Sequence, residues 1–188
     1  LRTVAAMSEG WEDQVELLGS SRTPLLTPKL ERAIELLEET FANGRKALLF
    51  ANFNACGPLL QKSARSLPPA YWGAINGSTP PDQRQASVDN CSAQEGPAVM
   101  ILNPRAAGSG LNITAATVVI HYTQVWNPAL ELQASARAHR RGQKQPVTVY
   151  HMFYVDTVEE VMMERAQRRR ALGAEAVPTS SQDGIDLG

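Results

Sequence analysis

Arg137 and Arg140 lie three residues apart in the run QASARAHRRGQ, residues 133–143. On a helix that spacing puts both guanidiniums on one face. Each is a permanently charged planar fork of donors, so the pair suits the oxygens of a phosphate chain. Taken alone, the arginines could be a solvated helix end; their place inside this Gln- and His-bearing run argues for a phosphate site. His139 invites a general-base role, but between two arginines a structural one is expected. Upstream, NPRAAGSG (residues 103–110) supplies Arg105 and the glycines Gly108 and Gly110 in one loop, and NGST (residues 76–79) supplies the hydroxyls of Ser78 and Thr79. A pair of glycines is weak evidence by itself, because many loops carry two.

These residues need a scaffold, and hydrophobic periodicity supplies one. Thr27 followed by Pro28 reads as a helix N-cap and first turn. Leu30, Ile34, Leu37 and Phe41 form the apolar stripe of that helix, and Asn43-Gly44 ends it. Compact apolar runs at 46–53, 71–75, 99–102, 117–122 and 147–154 read as strands. Helices are expected at about 57–66, 80–91, 129–138 and from Thr157 to about Leu172. Short apolar strands alternating with helices predict an α/β domain with a mainly parallel sheet covered on both faces. Ligands of such sheets sit at the carboxyl ends of the strands. The loops that begin near Phe53, Asn76, Asn103 and Tyr122 therefore mark the site. His121 and His151 fall inside strands and are expected to be packed.

The 188 residues carry a formal net charge of -1, which argues against a general polyanion binder. Acidic residues crowd the first forty positions and basic ones the stretch after Arg137, so a locally basic face remains available. The run Arg168–Arg170 reads as a solvated helix end. Cys56 and Cys91 show no metal-ligand spacing, which predicts two buried thiols and no metal site. No apolar run reaches the ~18 residues of a membrane helix. The chain has no GxxxxGK[ST] phosphate loop, so a nucleotide met by the arginines must be held mainly by another domain. The chain begins at Leu rather than Met, and a longer parent is expected.

WNPALELQASARAHRRGQKQPVTVYH resembles motif VI and its lead-in from the Swi/Snf-related DNA-dependent ATPases, a branch of helicase superfamily two. NPRAAGSGLNITAA resembles that family's motif V, KALLFANF its motif IV, INGSTPPDQRQ the loop that follows, and VDTVEEVMMERAQRRR its closing helix. The likeness covers about residues 27–172. It implies a RecA-like three-layer αβα sandwich, the second of two lobes between which ATP and Mg2+ lie. The first lobe, with the phosphate loop and acidic box, would hold most of the nucleotide. Arg137 and Arg140 would be the catalytic arginines, with Gln133, Gly108 and Gly110 also at the nucleotide. Ser78, Thr79, Arg105 and Trp126 would meet duplex DNA.

The resemblance divides the chain into a lead-in (1–24), a helicase C-terminal lobe (25–173) and a flexible tail (174–188). The partners it implies are the N-terminal lobe of the same protein and double-stranded DNA, with no membrane and a monomeric fragment. Expected activity is DNA-dependent ATP hydrolysis by the parent, with this fragment alone inactive. The expected site of action is the cytoplasm or nucleoid of a prokaryote or phage, or the nucleus of a eukaryote. Several positions depart from the family. Asn103 and Pro104 replace Ser-Thr, Ala107 replaces Gly, Ser109 replaces Leu, and Arg141 an aliphatic residue. Thr117, Thr123, Val125 and Ala136 stand where acidic residues are common. These losses motivate an alternative, a lobe that docks DNA or protein without supporting hydrolysis. A strand-separating helicase is a third possibility, against which WNP with RAHRRGQ argues.

Overall fold

Thr27 does at the start of the first helix what its sequence position requires. In the computed structural model its Oγ1 accepts a hydrogen bond from Leu30 N at 3.3 Å, and Pro28 occupies the first turn of α1, Pro28–Ala42. The structure describes residues 27–106, 111, 113–125, 127–136, 138 and 145–175. The expected lead-in and most of the expected tail lie outside that set. Gly44 follows the Asn43 cap at φ +63°, a conformation that costs a glycine little, and frees the chain to turn into the sheet.

The remaining elements are β1 (Lys46–Phe50), α2 (Cys56–Ser63), β2 (Tyr71–Ile75), α3 (Pro81–Ala93), β3 (Ala98–Leu102), β4 (Val118–His121), α4 (Pro128–Ser135), β5 (Thr148–His151) and α5 (Val158–Glu175). The five strands pair in the order β2-β3-β1-β4-β5, and every pairing is parallel. The sheet is thus wholly rather than mainly parallel. Alternate residues point to opposite faces. Leu48, Phe50, Met100, Leu102 and Val119 pack with Val88 and Cys91 of α3 and Ala134 of α4. Ala47, Leu49, Val99, Ile101, Val118 and Ile120 pack with Leu30, Ala33, Leu37 and Phe41 of α1 and Leu60 of α2. The three central strands are buried on both faces, which is why they read as continuous apolar runs, while the edge strands β2 and β5 are partly exposed. Gly73 of β2 gives way to Met100, whose Sδ would lie 2.9 Å from a Cβ built there.

Element ends moved from their expected places for local reasons. β1 stops at Phe50, not Phe53, because the Asn52 amide turns aside to the hydroxyl of Thr123 at 2.8 Å. β5 ends at His151, not Tyr154. Beyond it Glu159 Oε2 takes the Tyr154 amide (2.9 Å) and Thr157 Oγ1 donates to the Tyr154 carbonyl (2.7 Å), folding the chain into the start of α5. α4 begins one residue early, since Asn127 Oδ1 caps the Ala129 amide at 3.1 Å and Pro128 fills the first turn. It ends at Ser135, three residues short of the expected Ala138. Among the described residues no helix is long and apolar enough to cross a membrane.

Cys56 is half-buried and Cys91 buried, both as free thiols. Cys56 opens α2, where a helix N-terminus would lower its pKa. Burial outweighs that effect and the nearby Lys29 charge, and pushes the thiol up to about 11 from 9.0. Two pH units correspond to roughly a hundredfold less thiolate below pH 9. Iodoacetamide labelling of Cys56 at pH 8, followed by mass spectrometry, should therefore run about a hundredfold slower than that of a thiol with pKa 9. Labelling at the rate of an unperturbed thiol would contradict the burial.

Candidate functional site

The chain leaves β1 toward β2 on one side and leaves β4 toward β5 on the other, although β1 and β4 are neighbours. Their diverging loops open a crevice at the carboxyl edge, the usual ligand position in parallel sheets. Residues 51–55, 76–79, 103–106 and 122–125 line up along this edge, and none of them is acidic. Asn52, Asn103, Thr123 and Gln124 are bonded to one another and to neighbouring carbonyls. Asn54, Asn76, Ser78 and Thr79 give the edge neutral donors and acceptors, a set that fits phosphate oxygens. It offers no carboxylate to a divalent cation, and no group of three His, Cys, Asp or Glu among the described residues could hold a metal ion. Between β1, α2, β2 and β3 the edge is hollowed into a cleft of about 170 Å³ lined by Phe53, Asn54, Gln61, Trp72, Asn76 and Asn103, among others.

Ser78 and Thr79 stand in a turn organised by Asn76. Its Oδ1 accepts from Ser78 N (3.0 Å) and Ser78 Oγ (2.6 Å), and Asn76 N donates to Thr79 Oγ1 (3.1 Å). Ser78 is exposed and Thr79 half-buried, so the first hydroxyl is the better placed to meet a ligand. Arg105 is exposed, and its amide donates to Asn103 Oδ1 at 3.0 Å in a similar turn. Arg84 joins the two loops: its Nε donates to the Thr79 carbonyl (2.9 Å) and its NH1 to the Ala106 carbonyl (3.3 Å).

A line of side-chain bonds then continues across the edge. Asn103 Nδ2 donates to the Asn52 carbonyl at 3.0 Å, Asn52 Nδ2 to the Gln124 carbonyl at 3.1 Å, and Gln124 Nε2 to the Met152 carbonyl at 2.8 Å. With Arg84, the seam touches the carboxyl ends of all five strands in their spatial order. Nothing in the local sequence signals it, because asparagines in loops are commonplace; only the strand order puts Asn103, Asn52 and Gln124 side by side.

Gln133 is exposed on α4. That helix is set on the sheet by His121, whose Nε2 lies 2.9 Å from Ser135 Oγ. His121 is itself buried and stacked between Phe50 (centroids 5.2 Å apart) and His151 (4.7 Å), as expected of packed strand histidines. Arg137, Arg140, Gly108, Gly110, Trp126 and His139 lie outside the described residues. Of the substituted acidic positions, Thr117 is at the opposite end of the sheet, where Arg45 grips its hydroxyl (2.8 Å) and carbonyl (3.0 Å). Thr123 is at the site, engaged by Asn52.

Behind the crevice, Lys29 of α1 donates to both oxygens of Glu159 at 2.8 Å and sits 5.1 Å from the Tyr154 ring centroid and 5.6 Å from that of Tyr122. Burial lowers the Lys29 pKa, and the bond and charge of Glu159 push it back. Burial drives the Tyr122 phenol well above its usual range. This cluster fastens the start of α5 to the start of α1 and was not foreseen.

Residues 28–142 match the helicase conserved C-terminal domain. The chain belongs to that family. Within it, this helicase C-terminal domain is a RecA-like lobe of the Swi/Snf-related ATPases. It is 38% identical over 146 residues to the ATP-dependent helicase fft3 of Schizosaccharomyces pombe, covering 78% of this chain and 16% of that protein. It is 31% identical over 180 residues to the chromatin-remodeling ATPase INO80 of Emericella nidulans, covering 96% of this chain and 11% of that one. The helicase C-terminal domain thus spans well under a fifth of these relatives. The crystal structure of the C-terminal part of the Fun30 ATPase domain superposes with a TM-score of 0.70 at 28% identity, over 76% of this chain and 46% of the other.

Proposed function

We propose that this domain is the second motor lobe of an ATP-driven double-stranded DNA translocase. The observation that carries the reading is the alignment, along one carboxyl edge, of the loops bearing Ser78, Thr79 and Arg105 with the lead-in to the helix that precedes Arg137 and Arg140. In this reading Arg137 and Arg140 reach the ATP phosphates, with Gln133, Gly108 and Gly110 beside them. Ser78, Thr79, Arg105 and Trp126 hold the DNA backbone. ATP supplies the free energy, and its Mg2+ is held mainly by carboxylates of an N-terminal lobe, since the edge here carries none. Residues 25–173 form the working lobe, acting wherever duplex DNA is found, in nucleoid or nucleus. Arginines supplied from a separate lobe tie hydrolysis to closure of the cleft.

A docking lobe without hydrolysis is the second reading. It is favoured by one observation: at the site-facing position where the family commonly has an acid, Thr123 offers only a hydroxyl, and Asn52 occupies it. Turnover of ATP by the complete two-lobe protein, with and without duplex DNA, separates the readings. DNA-stimulated hydrolysis is expected, and none under any condition would select the docking lobe. DNA contact should be indifferent to sequence and salt-sensitive. Arg105→Ala should weaken binding equally for unrelated duplexes and reduce the log-log salt slope by about 0.9, one phosphate contact. Anisotropy titrations over a salt series measure both, and an unchanged slope would remove Arg105 from the interface.

A further inference from the structure

Asn52 belongs neither to the loops bearing Ser78, Thr79 and Arg105 nor to α4, yet it is bonded to residues beside both. Its carbonyl accepts from Asn103 Nδ2 (3.0 Å), its amide donates to Thr123 Oγ1 (2.8 Å), and its Nδ2 donates to the Gln124 carbonyl (3.1 Å). Asn103 in turn holds the amide of Arg105 (3.0 Å). Thr123 and Gln124 begin the segment that leads into α4, and Gln124 is anchored to Met152 of the chain beyond β5 (2.8 Å). The loop after β1 is therefore a strut between the Arg105 loop and the segment that leads into α4.

Backbone pairing reaches only one or two residues past the strand ends, where the Ala51 amide donates to the Leu102 carbonyl at 3.0 Å and the Tyr122 and Thr123 amides to the Phe50 carbonyl at 3.0 and 3.4 Å. Beyond these bonds the side chains of Asn103, Asn52 and Gln124 carry the link onward. A series of hydrogen bonds, each worth about 0.5–1.5 kcal/mol net, transmits a displacement only while every member is intact. Asn52 spends its carbonyl, amide and side chain on that purpose and is only half-buried, so core packing does not explain its arrangement.

We propose that Asn52 and Asn103 are positioning residues that carry engagement of DNA at the Arg105 loop to α4, which precedes Arg137 and Arg140 in the chain, setting how strongly DNA stimulates ATP turnover. The proposal rests on the translocase reading above. In the complete two-lobe ATPase, turnover is measured without DNA and with saturating duplex, together with DNA affinity. Asn52→Ala removes only the Nδ2 bond to Gln124, because its amide and carbonyl bonds are backbone, so it is combined with Thr123→Val, which removes the acceptor of the amide and keeps the side-chain shape. That double variant should lower the DNA-stimulated rate about fivefold or more, the low end of inter-site coupling, and leave DNA-free turnover and DNA affinity within about twofold. Asn103→Ala, which cuts the seam on its other side, should lower the stimulated rate likewise and also weaken DNA binding, because it releases the Arg105 amide; it tests the link a second way if the double variant does not fold. Adding Asn103→Ala to the double variant should lower stimulation no further, because a chain needs cutting only once. An unchanged stimulation ratio, an equal fall in both rates, or additive losses in the triple variant would overturn the relay while leaving the translocase reading in place. A wild-type enzyme that DNA does not stimulate would overturn both.

Discussion

On the translocase reading, Arg140→Ala in the complete protein should reduce DNA-stimulated turnover by at least about a thousandfold, the lower bound for loss of an arginine finger. Hydrolysis moves negative charge onto the oxygens around the transferred phosphorus, and a guanidinium placed there stabilises the transition state more than the bound nucleotide. Binding of ATP, read by a fluorescent analogue, should therefore change by only a few fold. Arg140→Lys should rescue little, because an ammonium lacks the planar two-pronged geometry. Arg137→Ala should behave in the same direction if the two act as a pair. A parallel loss of ATP affinity and turnover would assign Arg140 to ground-state binding and remove it from the chemistry.

Lys29→Met should produce the largest stability loss among single substitutions around the site. It leaves Glu159 holding only the Tyr154 amide, with its carboxylate partly buried at 23% side-chain exposure. Stripping one partner from a fully buried pair costs about 3–5 kcal/mol; the residual exposure of Glu159 brings the expectation to about 2–3 kcal/mol. For a domain of this size that is roughly 4–12 °C in Tm. Because desolvation already works against the Lys29 charge, the pair contributes less than its rupture costs. Lys29→Met combined with Glu159→Gln should accordingly recover much of the loss, since no charge is then stranded and the Tyr154 amide keeps an acceptor. Thermal unfolding of the four proteins completes the cycle. A double variant as unstable as the sum of the singles would show that Lys29 and Glu159 do not depend on each other.

Most of the scaffold could be read before any coordinates, for reasons that differ between elements. Buried parallel strands are continuous apolar runs, so KALLF and AVMIL announced themselves. TP before the Leu30 stripe and DTVEE before α5 carry their caps in the sequence. Thr157 Oγ1 accepts from the Glu159 amide at 3.2 Å, and Glu160 reaches back to the Asp156 amide at 2.7 Å. Strand ends were harder, because Phe53 and Tyr154 continue an apolar pattern that a single side-chain bond interrupts. Ser78, Thr79 and Arg105 could be found because motif loops are local in sequence. Arg84 and Asn52 could not, since their partners lie 22 and 72 residues away and are set by strand order alone. The Lys29–Glu159 pair spans 130 residues, and nothing in either segment names the other.

The central place of β1 has a consequence for how the chain comes to be folded. Of the five strands it is the first to be synthesised, yet Lys46 pairs with Ala98 and Ala47 with Val118. Some fifty residues must follow β1 before either flank can be closed, and more than seventy for the second. Until then only the helices made before β3, namely α1, α2 and α3, can shield KALLF. Such late long-range pairing is slow and leaves unpaired strand edges to meet other chains. A nascent chain halted before Leu102 should bind chaperones persistently. One extended past His151 should let them go, so the last strand of the sheet marks the earliest point at which synthesis can yield a finished lobe.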